Sequence, residues 1–197
     1  MSASPATPLL LASTSPQRRA ILEQLHVPFD VVAPRYEEHD PLDAEATKLV
    51  REHALAKARS VAADAGDRPV LGVDTTVALD GRIYPKPADV GDAERMLDEL
   101  AGRTHAVVSG LALVTPGWEF VGDASTLVTF RTLTPRDLAA YVASGEWQGR
   151  AGAYAIQGRG AALVEGVDGD YLNVVGLPAA LLVSLLAERF PGTYGFG

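Results

Sequence analysis

The stretch Leu9 to Arg19, LLLASTSPQRR, gathers the residue types best suited to hold an anion. A short apolar run bounded by turn residues reads as a buried strand. Ser15 and Pro16 then read as the N-cap and first residue of a helix whose apolar face is Ile21, Leu22 and Leu25. Arg18 and Arg19 fall at the positive end of that helix, where cations weaken it unless an anion occupies the free backbone N–H groups. The turn reads as a phosphate cradle. A surface helix with solvated arginines is the alternative, and the turn alone leaves the two equal because such charges cost only about 0.3–1 kcal/mol.

Further groups extend this chemistry. Lys57 falls on the apolar stripe of a helix spanning about residues 44–65, beside Val50, Ala54 and Val61, so it either snorkels along the core edge or reaches an anion. Asp74 interrupts the β-rich run VLGVDTTVAL, where an aspartate disfavours a strand and is costly if buried alone. It calls for a cation, a metal ion or a capping role. Lys86 lies between Pro85 and Pro87, which restrict the backbone and lower the entropy cost of placing its amine; a solvated loop charge is the plain alternative. With Glu38 from the acidic loop PRYEEHDPLD, these groups form the set that Mg²⁺-assisted chemistry on a phosphate ester requires. Cations neutralise the polyphosphate, carboxylates hold a hard metal ion, and one carboxylate can deprotonate water.

The elements that must position them follow from pattern. Val27 to Val32 reads as a strand, and Asp80-Gly81 as a hairpin turn into Arg82-Ile83-Tyr84. Asp89 to Leu100 reads as an amphipathic helix stopped by Gly102. Residues 104–115 and 125–132 read as paired strands around the Pro116-Gly117 turn, with WEFVGD between them. Thr134-Pro135 opens another helix. Ala161 to Val167 and Tyr171 to Val175 read as a hairpin around Asp168-Gly169. Pro178 starts the last helix, with Leu181, Leu182, Leu185 and Leu186 as its apolar face. Residues 1–197 read as a single domain, with 1–8 and 191–197 as loose tails.

Composition excludes several classes. With 197 residues, 47% of them hydrophobic, the chain can bury a substantial core, and its net charge of −8 opposes nucleic acid or anionic membranes as partners. The absence of cysteine removes disulfides, thiolate metal sites and cysteine nucleophiles. The four histidines, at 26, 39, 53 and 105, show no metal-ligand spacing and read as structural or exposed. There is no P-loop and no GxGxxG fingerprint, and Ser109-Gly110 lacks a nucleophile elbow. The N-terminus has neither a basic n-region nor a long apolar run, so the expected location is cytoplasmic.

The stretches LLLASTSPQRRAILEQLHVPFDV, GVDTTVALDGRIYPKP and AGAYAIQGRGAALVEGVDGDYLNVVGLP together resemble, in order, the Maf family of nucleotide pyrophosphatases. The resemblance implies a mixed α/β (α+β) fold, with two lobes around a deep cleft, similar to the inosine triphosphate pyrophosphatases and often a homodimer. It also implies hydrolysis of a nucleoside triphosphate to the monophosphate and pyrophosphate, with Mg²⁺ or Mn²⁺ as cofactor. The family's Ser-x-Ser-Pro-x-Arg turn falls on Ser13, Ser15, Pro16 and Arg18, and its acidic, lysine and Lys-Pro positions on Glu38, Lys57 and Lys86-Pro87. Its proton acceptor falls on Asp74, which together with Glu38 is also the expected metal contact.

Two bacterial branches are relevant, one acting on dTTP and UTP, the other on 7-methyl-GTP. The selecting positions fall on Gln17, Thr75 and Gln157. Thr75 and Gln157 look like the dTTP/UTP branch, and a glutamine amide matches the O4 and N3–H edge of uracil or thymine. Gln17 departs from that branch, which usually has arginine there, and the wording ASTSP is similar to the methyl-GTP branch. The expectation is a dTTP/UTP pyrophosphatase, with a 7-methyl-GTP pyrophosphatase or a nucleotide-binding regulator of septum formation as alternatives.

Overall fold

The computed structural model describes residues 7–197; residues 1–6 of the expected N-terminal tail lie outside them. The apolar run Leu9–Ala12 is β1, buried along its whole length. It is followed by helix α1 (Pro16–Gln24), capped by Ser15 with Pro16 in its first turn. Strand β2 (Phe29–Val32) pairs in parallel with β1, which in turn pairs in parallel with β3 (Val70–Leu79) through Leu10 and Leu11. Between them lies α2 (Ala46–Ala62), on which Val50, Ala54, Lys57 and Val61 are all buried, as the stripe predicts.

Asp80-Gly81 turns the chain into β4 (Arg82–Tyr84), which pairs with Val77 to Leu79 at the far end of β3. On that side, the ladder of β3 is therefore interrupted between Leu71 and Val77. Asp74 and Thr75 sit at this gap. On its other side, β3 pairs continuously with β5 (Thr104–Thr115), so the interrupted strand is held straight across the gap. With β6 (Trp118–Phe130) and β7 (Val164–Asp168), the seven-stranded sheet runs β2-β1-β3-β5-β6-β7, with β4 against β3.

The period of two along β3 divides its labour. Leu71 and Val73 join α1 and the last helix in one apolar cluster, and Val77 and Leu79 join a second cluster built with α3 (Val90–Leu100) and α4 (Pro135–Val142). Gly72 and Asp74, on the alternate face, meet α2. The gap thus lies where one apolar cluster gives way to the next.

Three expectations are corrected. WEFVGD is not an intervening segment: the Pro116-Gly117 turn closes directly on Thr115↔Trp118, and β6 runs from Trp118 to Phe130. Tyr171 to Val175 is not a returning strand. Asp170 caps Leu172 N at 2.8 Å and turns those residues into the short helix α5, so β7 (Val164–Asp168) pairs with β6 instead. Residues 191–197 are not loose, since Tyr194 is buried against the apolar cluster of α6 (Ala179–Arg189) and its hydroxyl donates to Thr7 O at 3.0 Å. Among the described residues, no helix is long and apolar enough to cross a membrane.

His105 on β5 shows how the second cluster handles a polar group. It is 1% exposed, packs edge-on against Phe130 and Tyr154, and shares a 2.9 Å hydrogen bond with the Tyr154 hydroxyl. Burial pushes its pKa down to about 4, whereas in the unfolded chain it lies near ~6.5. The unfolded state therefore binds the proton first. Stability from neutral His105 is full above about pH 6.5 and falls by up to about 3 kcal/mol as pH drops toward 4. Urea unfolding of native protein and His105→Gln should show their stability difference shifting against the native chain between pH 7.5 and 5; a pH-independent difference contradicts this.

Candidate active site

The gap beside β3 opens into a cleft of about 730 Å³, within the usual range for small-ligand sites. One wall is the β1–α1 turn. Ser13 Oγ accepts from Ser15 N at 3.2 Å, and Ser15 Oγ caps Arg18 N at 3.4 Å. Arg18 lies flat along this wall: Nε donates to Gly176 O at 2.9 Å, and its terminal nitrogens donate to Ser13 Oγ at 3.1 Å and Thr75 Oγ1 at 3.4 Å. Among the described residues, no carboxylate bonds it directly. Burial lowers its pKa, opposed by the charges of Asp74 and Glu38.

The rest of the wall is a line of alternating charges. Lys86 Nζ meets Glu38 Oε2 at 3.2 Å; Glu38 Oε1 closes on Lys57 Nζ, which donates to Asp74 Oδ1 at 2.6 Å; and Asp74 Oδ2 faces His53 Nδ1 at 3.5 Å, with Asp40 at 3.6 Å beyond. Burial alone would raise the Asp74 pKa, but His53, Lys57 and Arg18 outweigh it and hold Asp74 well below the usual carboxylate range. Glu38 follows the same logic, with Lys57 overcoming burial. For Asp40, burial and the Asp74 charge raise the pKa. Asp74 raises that of His53, although at 3.5 Å the two do not form a hydrogen bond.

Of the residues singled out from sequence, Ser13, Ser15, Gln17, Arg18, Glu38, Lys57, Asp74, Thr75, Lys86 and Gln157 all line the cleft. Arg19 does not. It is exposed and faces Glu23 at 3.9 Å along α1, because successive helical residues point about 100° apart and only one of the two arginines can face inward. Lys57 neither snorkels nor waits for an anion alone: at 3% exposure it lies between two carboxylates. Thr75 Oγ1 is 2.8 Å from Ser109 Oγ, so its hydroxyl is tied into the wall. Gln17 Oε1 accepts from Ser15 Oγ at 3.2 Å.

Sequence reasoning missed His53, classed with the other histidines as structural or exposed. Its signal was the four-residue spacing to Lys57, which puts both on one face of α2. It also missed Glu146, Gln148, Arg150 and Tyr154, which line the cleft together with Gln157. Glu146 accepts from Arg159 N at 3.0 Å and Gly160 N at 3.3 Å, which fixes the turn presenting Gln157.

Fold and cleft together define a mixed-sheet α/β protein whose site can neutralise a polyanion with lysine, arginine and a helix N-terminus while offering carboxylates beside it. The family profile described as Maf-like protein matches residues 8–189, and the chain belongs to the Maf family. It is 50% identical over 186 residues to a protein of Nitratidesulfovibrio vulgaris named dTTP/UTP pyrophosphatase, covering 93% of this chain and 89% of that one. A protein of the same name from Moorella thermoacetica is 50% identical over 181 residues, covering 91% and 93%. One from Deinococcus radiodurans is 43% identical over 197 residues, covering all of both chains. Among solved structures, a HAM1 protein from Coxiella burnetii shares the fold at a TM-score of 0.52 and 16% identity, covering 92% of this chain and 99% of that one.

Proposed function

We propose that this protein hydrolyses dTTP and UTP to the nucleoside monophosphate and pyrophosphate, through attack of water on the α-phosphate. The relatives' names support the substrates. The observation that carries the reading is the charge line Lys86, Glu38, Lys57 and Asp74 lining the same cleft as the Ser13–Arg18 turn.

The Ser13 and Ser15 hydroxyls, the N-terminus of α1 and Arg18 bind phosphate oxygens. Lys57 and Lys86, paired with carboxylates in the free protein, are drawn to the polyphosphate when it arrives. That exchange has a consequence for Asp74. Its low pKa makes it a weak base while Lys57 bonds it, and its basicity rises as Lys57 turns toward phosphate. Asp74 then takes the proton of the attacking water.

Glu38 and Asp74 are the residues that would hold a divalent cation, Mg²⁺ or Mn²⁺. Their fit rests on donor chemistry: both offer hard oxygens converging on one point, Lys57 Nζ. No group of three or more metal-binding side chains stands ready among the described residues. Two carboxylates completed by substrate phosphates are the usual arrangement for Mg²⁺. When bound, the cation supplies Lewis-acid polarisation of phosphoryl oxygens.

At the other end of the cleft, the Gln157 amide offers one donor and one acceptor to the O4 and N3–H edge of the base. Incubation with dTTP and Mg²⁺ followed by product analysis tests the reading. Thymidine monophosphate and pyrophosphate are expected; diphosphate with phosphate, or no product, contradicts it.

A further inference from the structure

We propose that Arg150 reads the base: it donates to the carbonyl oxygen at ring position 4 of uracil or thymine and excludes rings with an amino group there. This rests on the dTTP/UTP reading above.

Placement comes first. Gly152 packs so closely on β3 that a Cβ there would lie 2.8 Å from Val77 Cγ2, which anchors the Arg150 loop at Val77. Arg18 meets β3 at Thr75, two residues earlier. The segments carrying the two arginines therefore meet β3 about 7 Å apart along the strand. Arg18 belongs to the phosphate turn, and the Arg150 segment leads within seven residues to Gln157, which lines the same cleft.

Arg150 is also the cation of this cleft still lacking a partner. Its Nε is buried with no hydrogen-bond partner, and among the described residues no carboxylate lies within ion-pair distance of its guanidinium. Lys57 and Lys86 have carboxylates, and Arg18 has Ser13, Thr75 and the Gly176 carbonyl. Glu146, in the same cleft, is engaged by the backbone of Arg159 and Gly160. The terminal nitrogens of Arg150 make no hydrogen bond among the described residues either and, unlike the sealed Nε, are open to an acceptor on a ligand in the cleft.

The chemistry of the two side chains then divides the task. A glutamine amide can turn over, presenting donor and acceptor in either order. Gln157 alone thus suits uracil, with its O4 and N3–H, as well as cytosine, with its N4 amino group and N3. An arginine has no acceptor to offer. Placed at position 4, it welcomes a carbonyl and opposes an amino group donor to donor, which is the kind of mismatch that gives strong discrimination.

The test compares kcat/KM for dTTP and 5-methyl-dCTP, which differ only along this ring edge, in native protein, Arg150→Met and Arg150→Lys. The native enzyme should prefer dTTP. Arg150→Met should reduce the preference about 10- to 100-fold while inhibition by inorganic triphosphate stays unchanged. Arg150→Lys, which keeps the charge but not the planar fork, should reduce it less and supplies the comparison if the methionine variant folds poorly. An unchanged preference in the folded variants overturns the proposal, as does an equal loss for both nucleotides with weaker triphosphate inhibition, which would put Arg150 on the phosphates. If the native protein turns over neither nucleotide, the dTTP/UTP reading itself fails and this inference falls with it.

Discussion

Asp74→Asn is expected to lower kcat for dTTP by about 10²- to 10⁴-fold, the usual contribution of a positioned general base. The fold should survive. Asparagine keeps the shape of the side chain and an oxygen to accept from Lys57, and Glu38 still neutralises that lysine. A loss of kcat far larger than any change in KM is the expected signature, in a protein that still unfolds cooperatively, though at a lower temperature because Lys57 and His53 lose a charge partner. Near-native turnover in a folded Asp74→Asn protein would show that the proton goes elsewhere.

Gly110→Ala is the second change of large expected effect, and it acts from a distance. A Cβ at Gly110 would lie 2.1 Å from Val50 O, and one at Gly72 would lie 2.0 Å from Ala54 O. Both obstacles are the backbone of α2, which no side-chain rotation can relieve. The helix must lift from the sheet, at a cost on the order of 3 kcal/mol or more. Because α2 carries His53 and Lys57, that shift also pulls the charge line apart. Urea denaturation should show a large fall in midpoint for Gly110→Ala, and the folded remainder should have reduced kcat/KM. Gly166→Ala is the control, since no atom lies within 4 Å of the added carbon and its stability should barely change. Equal midpoints for the two variants contradict the account of this interface.

These two glycines mark where the sequence stops being legible. Their neighbours read plainly as β-strand, but nothing in VLGVDTTVAL or VVSGLALV says that a helix backbone must come within contact of them. The same division runs through the site. Asp74 and Lys57 were visible because each violates its local pattern, an acid within a strand and a cation on an apolar stripe, and the structure answers both violations with one ion pair. His53 violated nothing, since a histidine on a helix needs no explanation until the fold brings Asp74 beneath it. Arg19 looked identical to Arg18, and only the rotation of the helix separates them.

The loop from Glu146 to Gly158 was hidden for a different reason. Glycines permit close approach but do not say to what. Positive φ at Gly149 and Gly152, 69° and 68°, lets the chain press against Val77 and carry Arg150 to the cleft. The segment from Tyr171 was misread because Val174 and Val175 favour a strand, yet the Asp170 cap and the burial of Asn173 outweigh that propensity.

The central claim is that water attacks the α-phosphate of a pyrimidine nucleoside triphosphate in this cleft. It is tested most directly by the dTTP reaction run in ¹⁸O-labelled water with Mg²⁺, with both products examined by mass spectrometry. One labelled oxygen is expected in thymidine monophosphate and none in pyrophosphate. Label in pyrophosphate would place the attack on the β-phosphate and contradict it.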